Sequence, residues 1–137
     1  MKKYKLLYYS VLKYQPDNYQ FLKDNFEIIE LNSPSEDNDN VLREIDVILA
    51  PLGYFVDKEK INKCSNLKVI GSNTIGHPHI DVAYALSKKI NVITPNKALM
   101  AKHGDYLSNL AEMNNVNLEF EASVAGGIPI LRTIYSA

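Results

Sequence analysis

The stretch Asn66-Leu67-Lys68-Val69-Ile70-Gly71-Ser72-Asn73-Thr74-Ile75-Gly76-His77-Pro78-His79-Ile80-Asp81-Val82, followed by Asn91-Val92-Ile93-Thr94, decides the fold. Leu67 to Gly71 is an apolar run of strand length, and a polar loop rich in turn formers follows it. Asp81 then reads as a helix cap, with Ile80 before it placed to pack back on the first turn. Val82, Ala85, Leu86 and Ile90 recur at helical spacing, and Asn91 to Thr94 is the next strand. Strand, helix and strand in this order predict a parallel pair joined by a right-handed crossover.

The same alternation extends in both directions. Upstream, Leu6 to Tyr9 is a first strand, and a helix begins at Pro16, a residue suited to a first helical position. Phe26 to Leu31 is a second strand. Asn32 to Asn40 is polar and reads as an exposed loop ending at a helix cap, with a short helix over Val41 to Glu44. Asp46 to Ala50 is a third strand, and residues 57 to 64 form a short helix with Asp57 as its cap. Downstream, Leu99, Tyr106, Leu107, Leu110 and Met113 repeat at helical spacing from Ala98 onward, although Gly104 weakens that helix by about 1 kcal/mol. Asn117 to Val124 is a sixth strand, expected to add beside the fifth. Residues 1–137 are therefore read as one α/β domain, a parallel sheet of five to six strands covered by helices on both faces, with an apolar tail over 125–137.

Bulk properties exclude several classes. The 137 residues suit one domain, with 46% hydrophobic and 23% charged side chains, as in an ordinary globular protein. A net charge of -1 gives no basic excess for nucleic acid or an anionic membrane surface. The single Cys64 excludes an internal disulfide and a thiolate metal cluster. The basic and then apolar N-terminus is short and lacks a small-residue cleavage site, so it reads as a strand, and the expected location is the cytoplasm.

Ligands of open parallel sheets gather at the carboxyl ends of strands, and the loop Ser72 to His79 occupies such an end. Its glycine permits close backbone approach, and its amides suit a small carboxylate. The same residue types also dominate plain turns, so the residues alone leave both readings open. His77 and His79 flank Pro78, but no third metal ligand of suitable spacing accompanies them, with only His103 remaining, so they read as exposed loop histidines. The carboxylate pairs Glu36-Asp37 and Glu119 with Glu121 carry no chemical signature. No G-x-G-x-x-G follows any strand, and the turn after the first, Ser10-Val11-Leu12-Lys13-Tyr14, is bulky and free of glycine. The phosphate cradle of a dinucleotide site is absent from this sequence, and no cofactor is expected on this chain alone.

Two family resemblances enter here. Through its strand, Gly-containing loop and Ile80-Asp81 helix start, residues 1 to about 93 resemble the front half of the catalytic, substrate-binding domain of D-2-hydroxyacid dehydrogenases. That resemblance implies a flavodoxin-like domain and places a substrate carboxylate on the backbone amides of Asn73, Thr74, Ile75 and Gly76. The family's catalytic Arg, Glu and His and its NAD-binding domain come from later segments not found in this sequence.

From about Val92 to residue 134 the chain resembles homoserine dehydrogenase instead. The motifs that carry this are Val92-Ile93-Thr94-Pro95-Asn96-Lys97-Ala98-Leu99 and Phe120-Glu121-Ala122-Ser123-Val124-Ala125-Gly126-Gly127-Ile128-Pro129-Ile130. In that family the lysine matching Lys97 sits near nicotinamide and substrate. A monovalent-cation site there maps to Glu121, Val124, Gly126 and Ile128. As an isolated residue, Lys97 reads as an exposed lysine opening a helix.

The expectation is a flavodoxin-like or Rossmann-like three-layer sandwich with a family seam near residue 92. It is a dehydrogenase-derived domain, not catalytic alone, whose relatives use NAD(P). The alternatives are an NAD(P)-dependent oxidoreductase completed by a partner chain and a small-carboxylate binding module. The apolar tail leads to an expected homo-oligomer, with no nucleic-acid or membrane partner.

Overall fold

The structure, a computed structural model, describes residues 3–74 and 79–120. Six strands form a single sheet in which every pairing is parallel: β1 (Lys5–Tyr9), β2 (Glu27–Leu31), β3 (Val47–Ala50), β4 (Val69–Ser72), β5 (Asn91–Ile93) and β6 (Leu118–Glu119). Their order is β2-β1-β3-β4-β5-β6. The first five follow the flavodoxin-like order, and the direction of winding reverses between β1 and β3. The sixth strand adds beside the fifth, with Val92 opposite Leu118 and Ile93 opposite Glu119. Among the described residues it covers Leu118–Glu119, and the rest of the expected run, 121–124, lies outside them.

Among the described residues, five α-helices connect the strands: α1 (Pro16–Asn25), α2 (Asp39–Glu44), α3 (Lys58–Lys63), α4 (Val82–Ser87) and α5 (Lys97–Asn114). Four of them are capped by a side chain. Asn38, Asp57, Asp81 and Asn96 accept the backbone N–H of Val41, Lys60, Tyr84 and Leu99 at 3.2, 2.9, 3.0 and 3.1 Å. Each bond satisfies one of the orphan donors of a first helical turn. Proline opens α1, as its fixed φ favours. Asn96 starts α5 one residue earlier than the apolar spacing implied.

Side-chain alternation along β1 divides the core. Leu7 and Tyr9 point into the larger cluster, with Ile48, Ile70 and Val92 from the neighbouring strands and Leu42, Ile61, Leu86 and Leu107 from α2, α3, α4 and α5. Leu6, Tyr8 and Val47 form a smaller cluster on the other face, packed against Tyr19 and Leu22 of α1. This division follows from handedness. Right-handed crossovers running β3 to β6 put α3, α4 and α5 on one face, and the reversed step from β1 to β2 puts α1 on the other. Coverage is consequently unequal among the described residues. Among the described residues the α1 face thins toward β5, where Ile93 is 48% exposed.

Candidate functional site

The loop predicted to bind an acid leaves the carboxyl end of β4, with the end of β5 beside it, since Gly71 pairs with Ile93. Its base is closed by side chains. Ser72 Oγ lies 3.2 Å from His79 Nε2, and the same hydroxyl oxygen accepts the Thr74 N–H at 3.1 Å. His79 is also fixed through its backbone, because its carbonyl accepts the Val56 N–H at 2.7 Å and Val56 bridges to Ile80. Thus β4, the loop after β3 and the start of α4 meet at one point.

This geometry corrects one reading. His79 is not an exposed loop histidine: only 3% of it is accessible, and its ring is hydrogen-bonded. The placement follows from the Val56–Ile80 bridge, a contact between segments far apart in sequence. Of the four residues proposed to hold a carboxylate, Asn73 is exposed and Thr74 half-buried, with the Thr74 amide already donated to Ser72. Ile75 and Gly76, and also His77, lie outside the described residues. Helix α4 has only six residues, too few for a strong dipole, so any anion binding here depends on the loop itself.

Next to this loop, the end of β5 carries two buried polar residues, Thr94 and Asn96. Thr94 donates its N–H to the Glu119 carbonyl, and its hydroxyl oxygen accepts the Asn96 N–H at 3.3 Å. Lys97 is exposed at the first position of α5. It lines an open groove of about 430 Å³ along that helix with Met100, Ala101, Gly104, Asp105, Ser108 and Phe120. The described lining of this groove includes none of Ser72, Asn73, Thr74 and His79. His103 is exposed on the same helix. The cation ligands expected at Glu121, Val124, Gly126 and Ile128 lie outside the described residues. Among the described residues, no three His, Cys, Asp or Glu side chains gather as a metal-ligand set.

A second polar centre sits near the β1/β3 switch. Lys60 Nζ donates to Asp37 Oδ2 at 2.6 Å and to the Tyr9 hydroxyl at 2.8 Å, and Tyr9 donates to Asp37 Oδ1 at 2.7 Å. The lysine and aspartate side chains are only 10% and 15% exposed. Burial, and then the bond to Asp37, pushes the Tyr9 hydroxyl well above its ordinary pKa. Beside them Cys64 donates its thiol to the Lys60 carbonyl, and burial raises that thiol to about 11. The Glu36-Asp37 pair is therefore not featureless. Glu36 accepts the backbone and side-chain N–H groups of Asn32, and Asp37 ties the segment after β2 to α3. That segment also folds into a short 3₁₀ turn at Pro34–Glu36, so it is not simply an exposed loop.

The turn after β1 does not fit the pyrophosphate of a dinucleotide. Ser10–Leu12 coil into a 3₁₀ turn with bulky side chains, and the Val11 amide is donated to the Asn32 carbonyl at 3.1 Å. A phosphate cradle needs open amides and the close approach that glycine allows. Among the described residues no helix is long and apolar enough to cross a membrane.

Comparison with known proteins gives two sets of likenesses. Homoserine dehydrogenase of Lactococcus lactis is 61% identical over 44 residues, 32% of this chain and 10% of that protein. Homoserine dehydrogenase of Pseudomonas aeruginosa is 40% identical over 68 residues, 50% of this chain and 15% of that protein. The crystal structure of Staphylococcus aureus homoserine dehydrogenase matches with a TM-score of 0.55 and 32% identity, over 93% of this chain and 34% of its own. A D-lactate dehydrogenase from Aquifex aeolicus, solved with NAD and lactic acid, matches with a TM-score of 0.56 over 75% of this chain and 33% of its own. At 22% identity it shows a common fold. The chain spans about a third of these two solved enzymes and 15% or less of the two curated relatives.

Residues 6–106 match the family described as D-isomer specific 2-hydroxyacid dehydrogenase, catalytic domain. This match passes through Val92. A 68-residue likeness to homoserine dehydrogenase cannot fit into the 46 positions from Val92 to Ala137 (137 − 92 + 1), so it too begins upstream. The family match thus runs across the position at which the motifs suggested a change of parent, and the homoserine dehydrogenase likeness includes residues upstream of it. With the family match extending from β1 into α5, over most of its length, the chain belongs to the D-isomer specific 2-hydroxyacid dehydrogenase catalytic-domain family.

Proposed function

We propose that this domain holds the carboxylate of a small 2-hydroxy or 2-oxo acid at the loop after β4, as the substrate-side part of a nicotinamide-dependent dehydrogenase. The observation that carries the reading is the built base of that loop. A buried His79 bonded to Ser72 stands at the carboxyl end of a central strand, inside the stretch matched to the family. Such an edge is where open parallel sheets bind ligands. Asn73, Thr74, Ile75 and Gly76 are the proposed contacts. The nicotinamide comes from another domain or another chain, because the turn after β1 has no phosphate cradle, and these residues do not transfer hydride by themselves. The likeness to homoserine dehydrogenases supports a second substrate class, an α-amino acid, recognised through the same carboxylate. Lys97 and a cation held by Glu121, Val124, Gly126 and Ile128 belong to that second reading.

Thermal melting with pyruvate, lactate, glyoxylate, homoserine, NAD and NADP tests the proposal. A ligand at about 100 times its Kd stabilises by about 2.7 kcal/mol. Stabilisation by a small acid that is lost in Gly76→Val is the expected result. Stabilisation by NAD with no response to any acid would overturn the assignment.

A further inference from the structure

We propose that Lys60 and Tyr9 form a separate carboxylate site at the winding reversal between β1 and β3, and that Asp37 occupies it as a tethered ligand. The inference is independent of the acid-binding reading of the loop after β4. Tyr9 is the last residue of β1, and the crevice outside the strand ends at such a reversal is where open parallel sheets take ligands. In this chain that position already holds an anion. Lys60 Nζ donates to Oδ2 of Asp37 at 2.6 Å, and the Tyr9 hydroxyl donates to Oδ1 at 2.7 Å. The two donor atoms are 2.8 Å apart and take different oxygens of one carboxylate, the two-point recognition that a free acid would receive.

Asp37 is placed to be exchanged. It belongs to neither helix nor strand, standing between the 3₁₀ turn Pro34–Glu36 and α2. The bonds that shape its surroundings do not use its side chain. Glu36 accepts from Asn32, the Asp37 N–H donates to the Pro34 carbonyl at 3.2 Å, and the Asn38 side chain caps α2. A change of the Asp37 rotamer would therefore vacate the site with the turn and the helix intact. The vacated site needs another anion, because the Lys60 side chain is only 10% exposed and a buried ammonium requires a counter-charge. Of its three N–H donors, two go to Asp37 and Tyr9 among the described residues, which leaves one for a further oxygen of a larger acid. Burial and the bond to Asp37 keep the proton on Tyr9, so the phenol remains a donor. Held on the same chain, Asp37 competes at an effective concentration on the order of millimolar or above, so a free acid enters the native site only weakly.

The test follows the Lys60 amide by NMR during titration with sodium acetate or sodium lactate, against sodium chloride at equal ionic strength. It compares the full chain with Asp37→Ala, Asp37→Asn and the double variant Asp37→Ala, Lys60→Met, each also in a Gly76→Val background. Asp37→Ala should bind both acids roughly tenfold or more tightly than the parent, since the tethered competitor is gone. Asp37→Asn, whose uncharged amide competes less well, should fall between them, and the double variant should bind neither acid. Gly76→Val should change none of this. If Asp37→Ala is unfolded by itself, acetate or lactate should refold it, as read by circular dichroism. No saturable response in either Asp37 variant would overturn the proposal, as would equal affinity in the parent and Asp37→Ala. A response to acetate without lactate would also sink it, because a sealed hole the size of the lost side chain is not a ligand crevice. A response that disappears in Gly76→Val would belong to the loop after β4 and count against this site.

Discussion

Replacing Lys60 with Met removes the cation from a nearly dry cluster and leaves Asp37 with the Tyr9 hydroxyl alone. The two charged side chains are 10% and 15% exposed and sit 2.6 Å apart. Breaking a buried pair on one side costs about 3–5 kcal/mol, because the surviving charge stays desolvated. The lower end applies here, since Asp37 keeps some solvent and one hydrogen bond. Unfolding entropy of about 2.1 cal/mol/K per residue gives a chain of this length about 0.29 kcal/mol/K, so about 3 kcal/mol lowers Tm by about 10 °C. Circular-dichroism melts at pH 7 measure it. The triple variant Tyr9→Phe, Asp37→Leu, Lys60→Met removes all three polar groups together and should lie within about 4 °C of the parent. A single Lys60→Met within about 2 °C of the parent would refute the reasoning, as would a triple variant no better than the single one.

Other perturbations have smaller expected effects. The thiol of Cys64 titrates near 11 in the fold against 9.0 for the free group, so the native state holds its proton more tightly. That contribution is complete below about pH 9 and is lost as pH rises toward 11, with Tyr9 adding to the loss above 10. Urea midpoints should be flat from pH 7 to 8.5 and then fall, less steeply in Cys64→Ala; an unchanged alkaline slope in that variant would assign the effect elsewhere. Asn96→Ala removes the cap of the longest helix and should cost about 1–2 kcal/mol in chemical denaturation. Gly53 has φ of +86° with open space around its missing Cβ, so Gly53→Ala should cost about 1 kcal/mol through backbone strain alone. Lys97→Glu puts a negative charge at the start of α5 and should stabilise by about 0.5 kcal/mol, whatever it does to ligand binding.

Much of the framework was legible because its signals are local. Asp57 and Asp81 cap the helices they precede, Pro16 opens α1, and the spacing of Val82, Ala85 and Leu86 marks the buried side of α4. The polar clusters were not legible, because their members come together only through the crossovers. Asp37 and Lys60 lie in different connections, and a lysine in a short helix reads as solvated until α3 packs over Tyr9. The burial of His79 depends on Val56, whose bridge to Ile80 leaves no periodic trace in the sequence. The seam read at Val92 rests on local signals of the same kind. Short motifs weigh single turns, whereas the family match extends across Val92 to residue 106.

The register of the sheet bears on how the chain assembles. Partners across β1 and β2, β3 and β4, and β4 and β5 are each separated by 22 positions, as Lys5 with Glu27, Val47 with Val69, and Val69 with Asn91. Each pairing therefore closes a loop of the same length at nearly the same entropic cost. Once β3 has joined β1, every later strand lands on the edge left by the one before it. A ribosome delivering this chain from its N-terminus would supply strands in the order in which this side of the sheet can accept them. The sheet can then grow outward during synthesis, with no strand waiting for a partner that has yet to be made.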